Sequence, residues 1–262
     1  MRKFLFTLIA LALSAALHAE ESVATIAVDD GNTLSFVKNF HTDHPKFVLI
    51  LMVGGEGALS IKKTDDGRAT YHNGNFLMRV RDTLASDNDI VTITPDVPSD
   101  QSGGYSDSFR DSDRHLSDIR KLIAYIKEQY PQAKVILVGT SRGTISTGVL
   151  GIKLGHDIDG VIHTSTMTGN VRSAALSLSH LDYSQIAAPQ LFIHNRNDNC
   201  KFTNFSTMQD KAEKFHIPFI AVSGGQGDGG RDPCQAFSYH GYLGIEDSVV
   251  LIMKEWIGKL AD

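Results

Sequence analysis

The sequence predicts an α/β protein with a mostly parallel central sheet and helices on both faces. Continuous apolar runs such as FVLILMV at 47–53 are typical of strands that are covered on both faces. Segments with apolar residues at helical spacing separate most of these runs. Because strands and helices alternate along the 262 residues, right-handed crossovers into a parallel sheet are expected.

The first half of the chain opens with a predicted hairpin at the edge of the sheet. Residues 23–28 and 33–37 alternate in polarity and flank Asp-Asp-Gly-Asn, which is a strong turn signal. The buried strand 47–53 follows and is broken by GGEG at 54–57. A helix is then predicted over 76–85, and a strand over 89–94 ends at Pro95.

The second half continues the same alternation. Apolar residues at 116, 119, 122, 123 and 126 predict a helix over 115–130, which Pro131 stops. Later strands are predicted over 134–139, 161–166, 190–194 and 219–222, and helices over 144–154, 206–215 and 246–260. The stretch between the strands at 161–166 and 190–194 is about 23 residues, so we expect no large lid domain.

Residues 1–19 resemble a secretory signal peptide. Arg2 and Lys3 precede an apolar run that ends in small residues, and cleavage after Ala19 is expected. A buried helix and a retained membrane anchor are the alternatives, although the run is short for a span of about 20 residues. We therefore predict export to the periplasm or beyond, and one domain over 20–262.

The remaining composition argues against several classes of partner. Without Arg2 and Lys3 the chain has 23 basic and 30 acidic residues, a net charge of −7, and no basic stripe. The charge therefore argues against nucleic acid and anionic membranes as partners. Zinc-type Cys/His spacings are absent, so we expect no metal and no cofactor, and the sequence does not indicate an oligomeric state.

A glycine-flanked serine stands out at the end of a predicted strand. Gly139-Thr-Ser141-Arg-Gly143 between a strand and a helix fits a nucleophile elbow, in which glycines avoid collisions at a sharp turn. The alternative is a glycine-rich turn whose serine only caps the helix. The context of strand before and helix after favours Ser141 as a catalytic nucleophile.

A serine nucleophile needs a base and an acid later in the chain. Asp198 follows the strand 190–194, where the acid is expected, and an Asx turn is the alternative. Asp228 and Asp232 are further candidates for the acid. His240 lies in a loop after the last strand and is the predicted base, whereas a plain surface or core histidine is the alternative.

Two cysteines flank these two predicted triad members. Cys200 is two residues after Asp198, and Cys234 is six residues before His240. In an exported protein an even count favours a disulfide, with two buried free thiols as the alternative. A bridge here would hold the acid loop against the histidine loop.

The oxyanion donors are expected on two loops. One is the backbone N–H of Arg142, directly after the serine. The other lies in the loop after strand 47–53, where Gly55 is favoured and Glu56 comes next. Arg110 and His115 are candidate substrate-binding residues for a carboxylate or phosphate, although ion pairs with nearby aspartates are the alternative for the arginines of this region.

The motifs GGEG, GTSRG, HNRND and HG at 240–241 together resemble the α/β-hydrolase superfamily, and in particular exported bacterial serine hydrolases with a GTSRG elbow and a cysteine pair. The resemblance implies that Ser141, Asp198 and His240 are nucleophile, acid and base. It departs at the oxyanion loop, where many esterases have His-Gly and this chain has Val53-Gly54.

The function expected from these residues is acyl transfer through a covalent intermediate. A carboxylesterase acting on small or medium esters is favoured. A peptidase, amidase or thioesterase of the same fold is the first alternative, because all of them share the triad. A non-catalytic binding protein built on the same fold is the alternative from a different class. The expected partner is a small-molecule ester or amide.

Overall fold

A computed structural model describes residues 20–64, 69–169 and 181–261. The predicted signal peptide, residues 1–19, lies outside the described residues. Eight strands form one sheet in the order β1-β2-β6-β3-β7-β8-β9-β10. These strands are β1 (Glu20–Ala27), β2 (Thr33–Phe40), β3 (Phe47–Met52), β6 (Ile90–Pro95), β7 (Lys134–Thr140), β8 (Gly160–Thr164), β9 (Gln190–Asn195) and β10 (Phe219–Val222).

The pairing is antiparallel at one edge and parallel elsewhere. β1 pairs with β2 as the predicted hairpin, and β2 pairs antiparallel with β6. The pairs from β6 through β10 are all parallel. Because those six strands point the same way, the loops that follow them meet at one edge, and the predicted fold class is confirmed.

Helices cover both faces of the sheet. They are α1 (Phe76–Ala85), α2 (Asp107–Arg110), α3 (Asp113–Gln129), α4 (Gly143–Leu154), α5 (Phe205–Lys214) and α6 (Glu246–Gly258). One buried cluster includes Ile119, Leu122 and Ile126 of α3, and a second includes Leu77 of α1 and Met253 of α6. Strand side chains alternate between these two clusters, as expected for a sheet that is buried on both faces.

The structure adds elements that the sequence analysis did not predict. Strands β4 (Lys62–Lys63) and β5 (Ala69–Thr70) pair in a separate two-stranded ribbon, and the four-residue helix α2 lies between the predicted strand 89–94 and the predicted helix 115–130. All are too short to carry a periodic signal. Within the described ranges, no helix is long and apolar enough to cross a membrane.

Candidate active site

Ser141 lies in the tight turn between β7 and α4. Its φ of 51° is left-handed, a conformation that costs energy for a residue with a side chain. A Cβ on Gly139 would lie 2.7 Å from Oγ1 of Thr147, and one on Gly143 would overlap the carbonyl oxygen of Met52. Both flanking glycines are therefore required by close packing of α4 against the sheet.

The predicted acid and base are hydrogen-bonded to each other. Nδ1 of His240 and Oδ2 of Asp198 are 2.9 Å apart, and their side chains are 4% and 1% exposed. The Asp198 carboxylate also accepts the Thr203 hydroxyl and the backbone N–H of Cys200, each at 2.9 Å. These bonds orient the carboxylate toward the imidazole and compensate for its burial.

The other nitrogen of His240, Nε2, makes no hydrogen bond with Ser141. Nε2 is buried and has no hydrogen bond with any described residue. Ser141 and His240 line one cavity of about 420 Å³ at the carboxyl edge of the sheet. Asp228 and Asp232, the other candidate acids, accept backbone N–H groups of Gly230 and Cys234 within their own loop.

The predicted disulfide is confirmed. Cys200 and Cys234 are bridged across a sequence separation of 34, with their Cα atoms 4.7 Å apart. Cys200 lies between Asp198 and Thr203, and Cys234 lines the cavity. The bridge therefore joins the loop of the carboxylate to the loop that leads to His240.

The loop after β3 borders the serine, as predicted for the oxyanion side. Gly54 and Gly55 line the cavity, and a Cβ on Gly54 would lie 3.0 Å from Cβ of Ser141. Glu56 is not among the lining residues, and its carboxylate instead pairs with Nη1 of Arg142 at 2.9 Å. The backbone N–H groups of Gly55 and Arg142 make no hydrogen bond with another described residue.

The side chain of Arg142 is held away from the cavity by carboxylates. The Asp107 carboxylate accepts hydrogen bonds from Nη2 at 2.7 Å and from Nε at 3.0 Å. Burial opposes the charge, but the bonds to Asp107 and Glu56 outweigh it and raise the pKa of Arg142. This is the ion-pair alternative for that side chain, and Arg142 is not among the residues that line the cavity.

Arg110 and His115, the candidate substrate-binding residues, are buried and do not line the cavity. Arg110 is 1% exposed; its guanidinium donates to Oγ of Ser146 at 2.9 Å and to the carbonyl of Gly55 at 3.1 Å. His115 is fully buried with Nε2 3.1 Å from the same Ser146 hydroxyl, and burial with the nearby Arg110 charge lowers its pKa to about 3.

Arg110 is a buried, charged residue with a structural role. Within the described residues no carboxylate forms an ion pair with it, and burial lowers its pKa to about 10, so it stays charged at neutral pH. The Tyr105 ring lies 5.1 Å from its Cζ. Arg110 therefore fixes the Gly55 carbonyl, in the loop after β3, to Ser146 of α4.

Arg79 is a structural residue of the site that the sequence analysis missed. Its guanidinium donates to three backbone carbonyls and to the Glu246 carboxylate: Gly74 at 2.7 Å, Ala236 at 3.1 Å, Gly241 at 2.6 Å and Glu246 at 2.9 Å. Two of these carbonyls flank His240, and the third precedes α1. An arginine in the middle of a predicted helix carries no signal for such a role.

The cavity wall is largely uncharged. Its described lining contains no Lys, Arg, Asp or Glu, and Phe237, 55% exposed, stands at its rim. The lining residues are Gly54, Gly55, His72, Gly74, Asn75, Phe76, Thr140, Ser141, Cys234, Gln235, Ala236, Phe237, His240 and Gly241. Across the described ranges, no group of three or more His, Cys, Asp or Glu side chains is arranged to hold a metal ion.

No family model matches the sequence, and no curated protein matches it. Solved structures do match. A dienelactone hydrolase from Anabaena variabilis has a TM-score of 0.65 at 12% identity, covering 93% of this chain and 99% of its own. An α/β serine hydrolase homologue from Coxiella burnetii has a TM-score of 0.60 at 13% identity, and the match covers 91% of this chain and 99% of the homologue. A serine hydrolase without a lid from Xanthomonas campestris has a TM-score of 0.59 at 13% identity, and the match covers 89% of this chain and 95% of that hydrolase.

At these identities the likeness concerns the backbone and says nothing about the reaction. It agrees with the strand order, with the parallel centre of the sheet and with the absence of a lid domain from the described residues. The chain therefore has the α/β-hydrolase fold.

Proposed function

We propose that the protein is a serine hydrolase that acts by acyl transfer, with Ser141 as nucleophile, His240 as base and Asp198 as acid. One observation carries the proposal: Nδ1 of His240 is bonded to Asp198 at 2.9 Å while Nε2 stays unpaired, and His240 lines the same cavity as Ser141. A histidine held this way has its proton on Nδ1, which leaves Nε2 free to accept one.

The reaction would proceed in two halves. Oγ of Ser141 bonds to the carbonyl carbon as its proton moves to Nε2 of His240, and the carbonyl electron pair moves to oxygen. Collapse of the tetrahedral intermediate breaks the bond to the leaving group, which takes the proton from His240. Water then attacks the acyl-enzyme by the same route and releases the acid.

The negative oxygen requires donors that are already in position. The backbone N–H of Arg142 lies at the start of α4, where the free N–H groups of the helix favour negative charge. Gly55 is the better candidate on the opposite loop, because it lines the cavity while Glu56 does not. The peptide that carries the Gly55 N–H is held by a bond from the N–H of Gly57 to the Gly54 carbonyl at 3.2 Å, and Arg110 holds the next peptide through the Gly55 carbonyl at 3.1 Å.

The substrate we propose is a neutral carboxylic ester of small or medium size. A lining without Lys, Arg, Asp or Glu offers no partner for a charged acyl group, and Phe237 offers an apolar surface at the rim. A dienelactone hydrolase has the same fold, and a lactone is a cyclic ester. Arg110 and His115, the candidates for binding a carboxylate or phosphate, are buried and do not line the cavity, which also favours a neutral ester.

We also propose that the protein is exported. The basic start and apolar run of residues 1–19 support it, and so does a disulfide, which persists mainly in oxidising compartments.

The test is a panel of p-nitrophenyl esters, matched anilides and matched thioesters, measured with the wild type and with Ser141→Ala. We expect ester hydrolysis with a preference for uncharged acyl chains, and its loss in Ser141→Ala. Faster turnover of anilides or thioesters would instead identify an amidase or a thioesterase. No turnover of any member would favour a non-catalytic binding protein.

A further inference from the structure

Asn75 presents a side-chain amide to the cavity that contains Ser141. It is the residue before α1, and its Oδ1 accepts the backbone N–H of Leu77 at 3.0 Å. That bond fixes the orientation of the amide, because reversing it would set one N–H against another. Nδ2 therefore points away from the helix end, and it makes no hydrogen bond with another described residue.

The free end of this amide lies beside the proposed nucleophile. A Cβ built on Gly54 would lie 3.2 Å from Nδ2 of Asn75 and 3.0 Å from Cβ of Ser141. Both atoms are thus within 3.2 Å of a single point on the oxyanion loop. Asn75, Gly54 and Ser141 all line the same cavity.

The amide is also held in place before any substrate arrives. Arg79 binds the carbonyl of Gly74, the preceding residue, at 2.7 Å, and the cap to Leu77 fixes the side chain from the other direction. A donor that need not reorient during reaction contributes most to stabilising developing charge.

We propose that Asn75 is a catalytic residue that donates its Nδ2–H to the substrate carbonyl oxygen as that oxygen becomes negative. This rests on the proposed function. As Oγ of Ser141 bonds to the carbonyl carbon, the π electrons move to the oxygen and the serine proton moves to His240. Asn75 then supplies a side-chain donor in addition to the backbone N–H groups of Gly55 and Arg142.

The structure offers a variant that separates this role from the helix cap. Asn75→Ser keeps a good N-cap but lacks the amide, so α1 should remain intact. Asn204 is the matched control, because it caps α5 through its bond from the N–H of Thr207 at 2.9 Å and does not line the cavity. Asn204→Ser should retain wild-type kcat.

We expect kcat of Asn75→Ser to fall about 100-fold, the typical loss when one oxyanion donor is removed, with KM changed little. Active sites are counted first by fluorophosphonate titration, so that a reduced folded fraction is corrected. The second readout compares an ester with its thiono analogue, whose sulfur is a poorer hydrogen-bond acceptor. Wild type should favour the oxygen ester more strongly than Asn75→Ser does, whereas a general loss of folding would lower both rates equally.

The outcomes separate the two proposals. If wild type neither hydrolyses esters nor reacts with fluorophosphonate, the proposed function itself fails. The role of Asn75 is overturned if wild type is active and Asn75→Ser shows any one of three results. These are a kcat within about threefold of wild type, a change in KM alone, or the wild-type ratio of ester to thionoester hydrolysis rates.

Discussion

Replacing Arg79 with methionine should disconnect the loops around His240 from the start of α1. The methionine keeps an unbranched apolar stem but removes the guanidinium and all of its hydrogen bonds. Three carbonyls lose a charged donor, and the Glu246 carboxylate loses its partner at 2.9 Å. The side chains of Arg79 and Glu246 are 16% and 22% exposed, so water replaces these bonds only in part.

The size of the effect follows from those contacts. A hydrogen bond to a charged group contributes about 1.5–3 kcal/mol when it is well buried. Partial exposure and non-additivity reduce the total for these four acceptors, so we expect a loss of about 3–4 kcal/mol in the free energy of unfolding. For a chain of this size that corresponds to a Tm lower by roughly 6–16 °C.

Urea denaturation and calorimetry measure this change, and ester hydrolysis is followed in the same samples well below Tm. We expect kcat to fall more than tenfold, because Gly241 adjoins the base and Gly74 precedes Asn75. Arg120→Met is the control: its side chain is 51% exposed and pairs with Asp157 at 3.7 Å, so less than 1 kcal/mol is expected. If the free energy of unfolding of Arg79→Met fell by less than 1 kcal/mol and kcat were unchanged, Arg79 would not be what connects the loops around His240 to the start of α1.

Other changes test the same site. Asp198→Asn should place an amide N–H against Nδ1 of His240, force the proton onto Nε2 and lower kcat by about 10⁴, measured beside an unchanged circular dichroism spectrum. Reducing the bridge between Cys200 and Cys234 with a phosphine should lower the free energy of unfolding by about 4 kcal/mol in denaturant titrations, and a variant with both cysteines replaced by serine should not respond. Burial lowers the pKa of His115 to about 3, so below about pH 6.5 the unfolded chain binds a proton at this histidine that the folded chain does not. His115 should therefore contribute up to about 1.4 kcal/mol per pH unit to the loss of stability toward pH 3, beside His163 and His194, whose pKa values burial also lowers to about 3. The slope should be smaller by that amount in His115→Gln, and an identical slope would contradict this.

The fold could be predicted because its signals are local. Apolar runs and helical spacing located the predicted strands and helices, and the alternation predicted the parallel sheet. The pair Cys200 and Cys234 was predicted from an even cysteine count and from neighbouring motifs, and the bridge is present. The glycines around Ser141 are required by contacts within one strand–turn–helix unit, so their spacing is visible in the sequence.

The inner support of the site could not be predicted in this way. Arg110 was a candidate substrate-binding residue because it is charged and its predicted position is near the serine. The structure buries it against Ser146 and the Gly55 carbonyl, contacts that join distant parts of the chain. Arg79 and Asn75 were missed for the same reason. Asn75 had one weak signal, since a polar residue before a helix that follows a strand faces the carboxyl edge of the sheet.

The central claim is that the hydroxyl at 141 is activated by the imidazole at 240. A fluorophosphonate probe tests it most directly, with peptide mass spectrometry to locate the adduct and a parallel set of Ser141→Ala and His240→Gln proteins. The account predicts one probe per chain on Ser141, no adduct in Ser141→Ala and labelling at least 100-fold slower in His240→Gln. Folded wild-type protein that leaves Ser141 unlabelled, or His240→Gln that is labelled at the wild-type rate, would contradict it.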